Sequence, residues 1–218
     1  MPPRRTARRS SVSRLPDPTR RPGSEDALRL LTERPGPGPH HSALRRGSAD
    51  IDTLADLPPA RNGLLFVGLR PSATSVAAGH YHQGDDGHRL WGWLVRAGVL
   101  PNGTRPETAD DALVAMGHGI TDLAKDPGAD RDSDADLLAG VGPLWQKIAL
   151  WRPGAIVFVD RRAAEISAGR PLLEPWGVLA DVALAGRPCV LLPAATASRE
   201  SIDEGINLLR NLLVALPR

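Results

Sequence analysis

The sequence predicts an α/β fold: a three-layer sandwich in which a central, mainly parallel four-stranded sheet is flanked by helices. Two observations predict it. Apolar runs of strand length alternate along the chain with segments of helical periodicity. The strongest of these runs are apolar at every position, which is typical of strands buried on both faces of a parallel sheet. Strands that alternate with helices form parallel crossovers, so helices cover the sheet on both sides.

Four segments are predicted as strands. Residues 64–67 (LLFV), 155–159 (AIVFV) and 190–192 (VLL) are continuous apolar runs, and residues 119–123 (GITDL) form a weaker fourth. Each is short enough for a strand and is bounded by glycine or proline nearby. We therefore expect a sheet built from these four segments.

Three helices are predicted from apolar residues that recur every three to four positions. They cover residues 88–97, residues 134–151 and a last segment that begins near Ser201. Ser201 followed by Glu204 is a capping-box pattern, in which each side chain satisfies a free backbone amide at the helix start. These helices supply the outer layers of the predicted sandwich.

Residues 1–48 are predicted to be a basic, Pro- and Arg-rich disordered tail and linker, with a short helix at 25–34 ended by residues 35–39 (PGPGP). Residues 1–47 hold 11 arginines against four acidic residues, a charge of +7, which leaves −5 on the rest of a chain whose net charge is +2. Such a tail attracts phosphates without sequence preference. The folded α/β domain is expected at 49–218.

Several classes of protein are excluded or disfavoured by composition. The single cysteine, Cys189, lies in an apolar run and is expected to be a reduced core residue. No apolar stretch approaches membrane-spanning length and the N-terminus lacks the apolar segment of a signal peptide, so we expect a cytoplasmic protein that binds no membrane. His40 and His41 are adjacent, but no cysteine or carboxylate stands at ligand spacing, so no metal site is expected.

Two loops that follow predicted strands are expected to define the functional site. Residues 68–72 (GLRPS) follow the first strand, and residues 192–196 (LPAAT) follow the last. In an open α/β sheet, loops at the carboxyl ends of the strands converge on the crevice where ligands bind. We expect the two loops to form neighbouring walls of one pocket.

Motifs in four segments carry a resemblance to a known family. The segments are 64–72 (LLFVGLRPS), 79–91 (GHYHQGDDGHRLW), 117–123 (GHGITDL) and 192–199 (LPAATASR). In this order they resemble the first motif, the base-stacking loop with the next helix start, the G-x-G-[IV]-T-x-L strand and the second motif of the uracil-DNA glycosylase superfamily. The mismatch-specific uracil and thymine glycosylase branch is nearest, and the resemblance covers roughly residues 50–215.

The resemblance implies a DNA glycosylase, which cleaves the N-glycosidic bond of uracil or a related deaminated or damaged base in base-excision repair. Such enzymes extrude the target nucleotide from DNA into a pocket, where its pairing edge is read and its ring is stacked. The expected partner is DNA, as a damaged or mismatched duplex or as a single strand. We expect a monomer without a metal or organic cofactor.

Three residues are candidates for catalysis. The Arg70 guanidinium stays protonated, so it cannot act as a base, but it can hold a phosphate or stabilise an anionic leaving base. Asp85 and Asp86 are carboxylates able to orient water or stabilise an oxocarbenium ion. The structural alternatives are a surface Arg70 paired with an acid and solvated turn residues at 85–86. For Asp122, which follows a short strand, a helix-capping or structural role is the stronger expectation.

Further residues are expected to contact the base or the DNA backbone. The base-pocket candidates are Gly68, Leu69, Pro71, His80, Tyr81, His82 and His88. The DNA-binding candidates are Ser72, Thr196, Ser198 and Arg199. Aromatic and imidazole rings stack on bases, whereas hydroxyls, amides at a helix start and a guanidinium suit phosphate oxygens. The alternatives are loop packing for residues 80–82 and helix capping for Ser198.

Two departures from the mismatch-specific branch leave other functions open. Arg70 and Ala194 stand where that branch has asparagine, and the second motif is one residue shorter. One alternative is therefore a catalytically silent member of the fold that binds nucleic acid and recognises a lesion or recruits a partner. Another is a domain that binds a free nucleotide or small acid in the same crevice.

Overall fold

A computed structural model describes residues 34–35, 39–46, 49–127 and 134–216. Residues 1–33 of the predicted tail and linker at 1–48, and with them most of the predicted short helix at 25–34, lie outside these residues. The strands are β1 Arg34–Pro35, β2 His41–Arg46, β3 Ala49–Leu54, β4 Leu64–Gly68, β5 Gly119–Asp122, β6 Ala155–Phe158, β7 Gly177–Leu184 and β8 Arg187–Leu191. The helices are α1 Ala73–Ala78, α2 Asp85–Ala97, α3 Ala109–Ala115, α4 Asp134–Trp151, α5 Arg161–Ala168 and α6 Arg199–Ala215, with a 3₁₀ helix at Pro106–Thr108.

The central sheet has five strands in the order β5-β4-β6-β8-β7. The first four of these are parallel, and β7 pairs antiparallel with β8 at one edge. The predicted α/β class is confirmed, but the predicted count of four strands is wrong by one. Strand β7 is missing from the prediction; Asp181 divides its apolar residues, and as an edge strand it mixes exposed and buried positions.

The residues of β4 explain why helices cover both faces of the sheet. Leu64 and Phe66 pack on one side with residues of α2 and α6, while Leu65 and Val67 pack on the other with residues of α4 and α5. Successive side chains of a strand point to opposite faces, so an all-apolar strand requires two apolar cores. The predicted three-layer arrangement follows from this.

Two helices begin earlier than predicted. Helix α2 starts at Asp85, three residues before the predicted start at 88. Helix α6 starts at Arg199, because Ser198 rather than Ser201 caps it: the Ser198 hydroxyl accepts a hydrogen bond from the Ser201 amide at 3.2 Å. Every helix among the described residues is too short or too polar to serve as a membrane span.

An antiparallel sheet of β1, β2 and β3 precedes the α/β layers. Strand β2 lies within residues 35–48, where the sequence predicts a linker, and it pairs with β3 from His41 opposite Leu54 to Arg46 opposite Ala49. The backbone amide of His40 donates to Gly79 O at 3.1 Å, and its carbonyl accepts from the Ala55 amide at 2.7 Å. These bonds join the small sheet to the loop that leads into α2.

Candidate active site

A cavity of about 470 Å³ opens at the carboxyl ends of β4 and β5. Its walls come from residues 70–72 after β4, from the loop and helix start at 81–89, and from Asp122 at the end of β5. Cavities of this volume are typical of sites for small ligands and cofactors. The parallel register, with Gly68 opposite Asp122, brings the two strand ends together.

Most of the residues predicted for catalysis and base contact line this cavity. They are Arg70, Pro71, Tyr81, His82, Asp85 and Asp86, and Ser72, predicted to contact the DNA backbone, lines the cavity as well. Gly68 and Leu69 lie at the end of β4, directly before the lining residues. The structure therefore places the first predicted loop and the predicted base-stacking loop in one site.

The second predicted loop is not part of the cavity wall. Thr196, Ser198 and Arg199 are exposed, and none of them lines the cavity. Strand β6 separates β4 from β8, so the loops after these two strands start about two strand spacings, or roughly 10 Å, apart. The expectation that they form neighbouring walls of this cavity is wrong, while their predicted contacts with a DNA backbone stay predictions.

Asp122, for which the sequence favoured a helix-capping or structural role, lies inside the site. It is only 2% exposed and lines the cavity, and its Oδ2 has no hydrogen-bond partner among the described residues. Burial raises the pKa of Asp122 to about 7, and the Lys125 ammonium only partly opposes this. A carboxyl group with a pKa near neutrality can exchange a proton with water or with a bound ligand at physiological pH.

Gly68 makes room for the Asp122 carboxyl group. A Cβ atom at Gly68 would lie 2.3 Å from Asp122 Oδ1, closer than any real contact between such atoms. The glycine of the GLRPS motif is thus needed for the close approach of a side chain on the neighbouring strand. The sequence contained a clue to Asp122, since Gly68 and Asp122 end two strands predicted to lie in one parallel sheet.

His82 forms a second wall of the cavity. Its backbone has a φ of 54°, and its ring meets Trp91 edge-on with centroids 5.7 Å apart. Its Nε2 is buried and has no hydrogen-bond partner in the described part of the chain. Burial lowers the pKa of His82 to about 4, so the imidazole is neutral at pH 7. A neutral ring with an unused nitrogen suits contact with an uncharged base.

The Tyr81 side chain is fixed by a buried polar network. Its hydroxyl donates to Ala55 O at 2.9 Å and accepts from Lys125 Nζ at 2.9 Å. Lys125 also donates to Asp56 Oδ1 at 2.9 Å, and Lys147 pairs with Asp56 Oδ2 at 2.5 Å. Burial acts to raise the pKa of Asp56, but the two lysines outweigh it and hold that pKa well below its usual range. The network holds one wall of the cavity rigid.

The three predicted catalytic residues occupy different positions at the cavity. Arg70 is half-buried, and its Nη1 donates to Asp126 O at 3.1 Å. Asp85 and Asp86 are exposed in the first turn of α2, where acidic residues stabilise the positive end of a helix. Asp86 pairs with Arg89 at 3.3 Å. Their roles in catalysis stay predictions.

Two histidines predicted for the base pocket do not line the cavity. His80 Nδ1 lies 2.8 Å from Asp110 Oδ1, and the Tyr81 amide donates to Asp110 Oδ2 at 2.8 Å. His80 therefore anchors the loop from behind. His88 lies in α2, and its Nε2 is buried without a hydrogen-bond partner in the described ranges.

Comparison with known families gives one match. The family model described as the uracil DNA glycosylase superfamily matches residues 55–214. This span starts just after β3 and includes every residue of the cavity and nearly all of α6. A comparison with curated proteins returned no match.

Proposed function

Because the chain belongs to the uracil-DNA glycosylase superfamily, we propose that it hydrolyses the N-glycosidic bond of uracil or a related deaminated or damaged base flipped out of DNA. Family membership supports a glycosylase-type function and DNA as the partner. The observation that supports catalysis by this chain is the buried Oδ2 of Asp122, which has no hydrogen-bond partner in the part of the chain that the structure describes and lies in a cavity of base-accommodating size.

The chemistry requires negative charge near the sugar and an oriented water molecule. Cleavage of the N-glycosidic bond leaves positive charge on the sugar ring and sends the bonding electron pair to the departing base. In our proposal the Asp122 carboxylate stabilises that positive charge and orients the water whose oxygen bonds to the anomeric carbon. The proton released by the water goes to Asp122, and the base leaves as an anion that is protonated afterwards.

We place the catalytic carboxyl group at Asp122 rather than at Asp85 or Asp86. Asp85 and Asp86 are exposed to solvent, and Asp86 is already paired with Arg89. An exposed carboxylate is screened by water and stabilises a developing charge weakly, whereas a buried one acts through a low dielectric. In this proposal Asp85 and Asp86 line the rim of the cavity, and their negative charges stabilise the N-terminus of α2.

The other cavity residues fit the binding of an extracted base. The buried Tyr81 ring and the neutral His82 imidazole provide stacking surface and an unused nitrogen. Arg70 supplies positive charge near the departing base in this proposal, which compensates for the absence of asparagine at that position. The basic tail adds a salt-dependent attraction to DNA that the acidic remainder lacks.

The test is a base-release assay on a panel of duplexes and single strands. Oligonucleotides that contain uracil, a thymine mismatch, hypoxanthine or an alkylated base are incubated with the protein and examined for alkali-labile breaks. We expect release of at least one deaminated base, and a loss of about a thousandfold in rate for Asp122→Asn. Asp86→Asn should lose far less. The matched control is Asp181→Asn, since Asp181 is 82% exposed on β7 and far in sequence from the site.

A second candidate is favoured by Arg70 and Ala194, which replace two asparagines of the mismatch-specific branch. In this candidate the protein binds lesion-containing DNA without cleaving it. Binding without alkali-labile breaks would support it and would contradict the glycosylase. Full activity in Asp122→Asn would instead keep the glycosylase and overturn the role of Asp122.

A further inference from the structure

A cluster of metal-binding side chains lies behind the loop that forms the cavity wall. His40, His80, Asp110 and Asp111 each present one ligand atom, and these four atoms lie within 4.8 Å of one another. We propose that these residues bind one divalent transition-metal ion, for which zinc has the best-matched chemistry. The proposal is independent of the glycosylase reaction.

Two pairs of these ligand atoms lie at hydrogen-bond distance from one another. His40 Nε2 lies 2.7 Å from Asp111 Oδ1, and His80 Nδ1 lies 2.8 Å from Asp110 Oδ1. In tetrahedral zinc sites the ligand atoms are about 2.0–2.1 Å from the metal, and hence about 3.3 Å from one another. Outward shifts of about half an ångström by each pair would therefore admit the ion.

The types of ligand select among cations. Two imidazole nitrogens favour zinc and its neighbours over magnesium and calcium, which prefer oxygen ligands alone. The cluster contains no thiolate, which disfavours ions that need soft ligands. Two neutral imidazoles and two carboxylates carry a total charge of −2, so a divalent cation neutralises the cluster.

The ligand atoms are already held in place by backbone groups. Asp110 has a fully buried side chain, and its carboxylate accepts from the amides of Tyr81 at 2.8 Å and Asp111 at 3.1 Å. His40 is held through its backbone by Gly79 and Ala55. Such supporting hydrogen bonds orient ligands and contribute to metal affinity.

Folding brings these ligands together from three distant parts of the chain. His40 precedes β2, His80 belongs to the loop before α2, and the two aspartates lie in the first turn of α3. The sequence analysis expected no metal because no carboxylate stands near His40 in the chain. A bound ion would tie the N-terminal sheet to the loop that carries Tyr81 and His82.

The test measures zinc binding by the full chain, produced without a histidine tag and stripped with a chelator. We expect one zinc ion per chain by elemental analysis, and an affinity measurable by competition with a chromophoric chelator. His40→Ala and Asp111→Asn should each weaken binding on the order of tenfold to a hundredfold. His41→Ala is the matched control, because His41 is the adjacent histidine and is not in the cluster.

Two further readouts keep the proposal testable if a variant folds poorly. Asp111 is 52% exposed, so its replacement by asparagine leaves packing intact. At one fixed zinc concentration, zinc should raise the melting temperature of the wild type and of His41→Ala by more than that of Asp111→Asn, and cobalt should give the visible spectrum of a tetrahedral site. Absence of stoichiometric zinc in the wild type, or equal affinity in Asp111→Asn, would overturn the proposal.

Discussion

Asp56 and Asp122 are both buried, but their pKa values shift in opposite directions. Asp56 accepts hydrogen bonds from Thr121 and Lys125 and pairs with Lys147, so its pKa is lowered despite its burial. Asp122 has an oxygen without a partner in the described part of the chain, and burial raises its pKa to about 7.

The difference shows that partners, and not burial alone, decide what a buried carboxylate does. Asp56 is a structural group, since it pairs with two buried ammonium groups and offsets part of their charge. Asp122 has an available oxygen in a cavity and a pKa suited to proton exchange near neutrality, which are features of functional groups. In a related structure, the number of cationic groups within hydrogen-bond distance therefore distinguishes a structural buried aspartate from a functional one.

The largest effect is expected for Asp56→Asn. This change keeps the size of the side chain but removes the carboxylate that pairs with the buried Lys125 and Lys147, which should reduce the free energy of unfolding by about 3–5 kcal/mol. Urea denaturation at pH 7 measures it. Asp122→Asn is the matched substitution, because Asp122 is buried as well but forms no ion pair with either lysine within the described residues. An equal loss of unfolding free energy in both variants would show that the two aspartates do not differ in their contribution to stability.

The pH dependence of stability sharpens the contrast. Asp122 has a pKa of about 7 in the folded protein against 3.8 as its ordinary value, so the folded state binds more protons between about pH 4 and pH 7. Stability from this group is present below pH 4 and is lost as pH rises through 7, by roughly 4 kcal/mol at most. Asp56, whose pKa is lowered, contributes stability above pH 4 that is lost in acid.

Urea denaturation between pH 5 and pH 8 separates these contributions. The wild type should lose stability relative to Asp122→Asn as the pH rises across this range, because the variant has no carboxyl group to ionise at that position. Subtracting the two curves removes the effects of the other titrating groups. Parallel curves would show that Asp122 does not titrate near neutrality.

Gly68→Ala should disturb Asp122 while leaving Asp56 intact. The added methyl group would meet Asp122 Oδ1 at 2.3 Å, so the carboxyl group must move. Displacement of a reacting group by about 1 Å can cost about a hundredfold in rate, which the base-release assay measures. Gly92→Ala is the control, because a Cβ at Gly92 meets nothing within 4 Å.

The smallest effect is expected for Tyr81→Phe, which removes one hydroxyl from the Asp56 network and leaves its charged groups in place. The hydroxyl's bonds to Ala55 O and Lys125 would be lost, at a cost of about 1–2 kcal/mol in the free energy of unfolding. Base release should fall only a few fold, because the ring still lines the cavity. A loss of activity as large as that of Asp122→Asn would assign the hydroxyl itself a role in the reaction.

The sequence predicted the parts of the molecule that depend on local pattern. The strand at 64–67 and the helix at 134–151 follow from runs and periods of apolar residues, and both are present. Strand β7 was missed because Asp181 divides its apolar residues and because an edge strand is not buried along its whole length. The sequence offered two serines as the cap of α6: the capping box at Ser201 and Glu204 placed the start of the helix too late, and the alternative, Ser198, is the cap.

The site was predictable only where its residues follow one another in the chain. Arg70, Pro71, Tyr81 and His82 belong to two loops whose position follows from the strand order. Asp122 has chemistry that depends on burial and on missing partners, neither of which a linear pattern shows. The same holds for the cluster around Asp110, whose ligands meet only after β2 and α3 are packed against one loop.

The two backbone hydrogen bonds of His40 have a practical consequence for shortening the protein. The predicted domain boundary at residue 49 invites a truncated fragment that keeps every strand of the central sheet. Such a fragment would remove the chain that pairs with β3 and leave that strand as an open edge, a surface prone to intermolecular pairing. It would also remove the His40 amide that donates to Gly79 O, at the start of the loop that carries Tyr81 and His82. A truncation that ends before residue 34 removes most of the arginine-rich tail and retains both contacts.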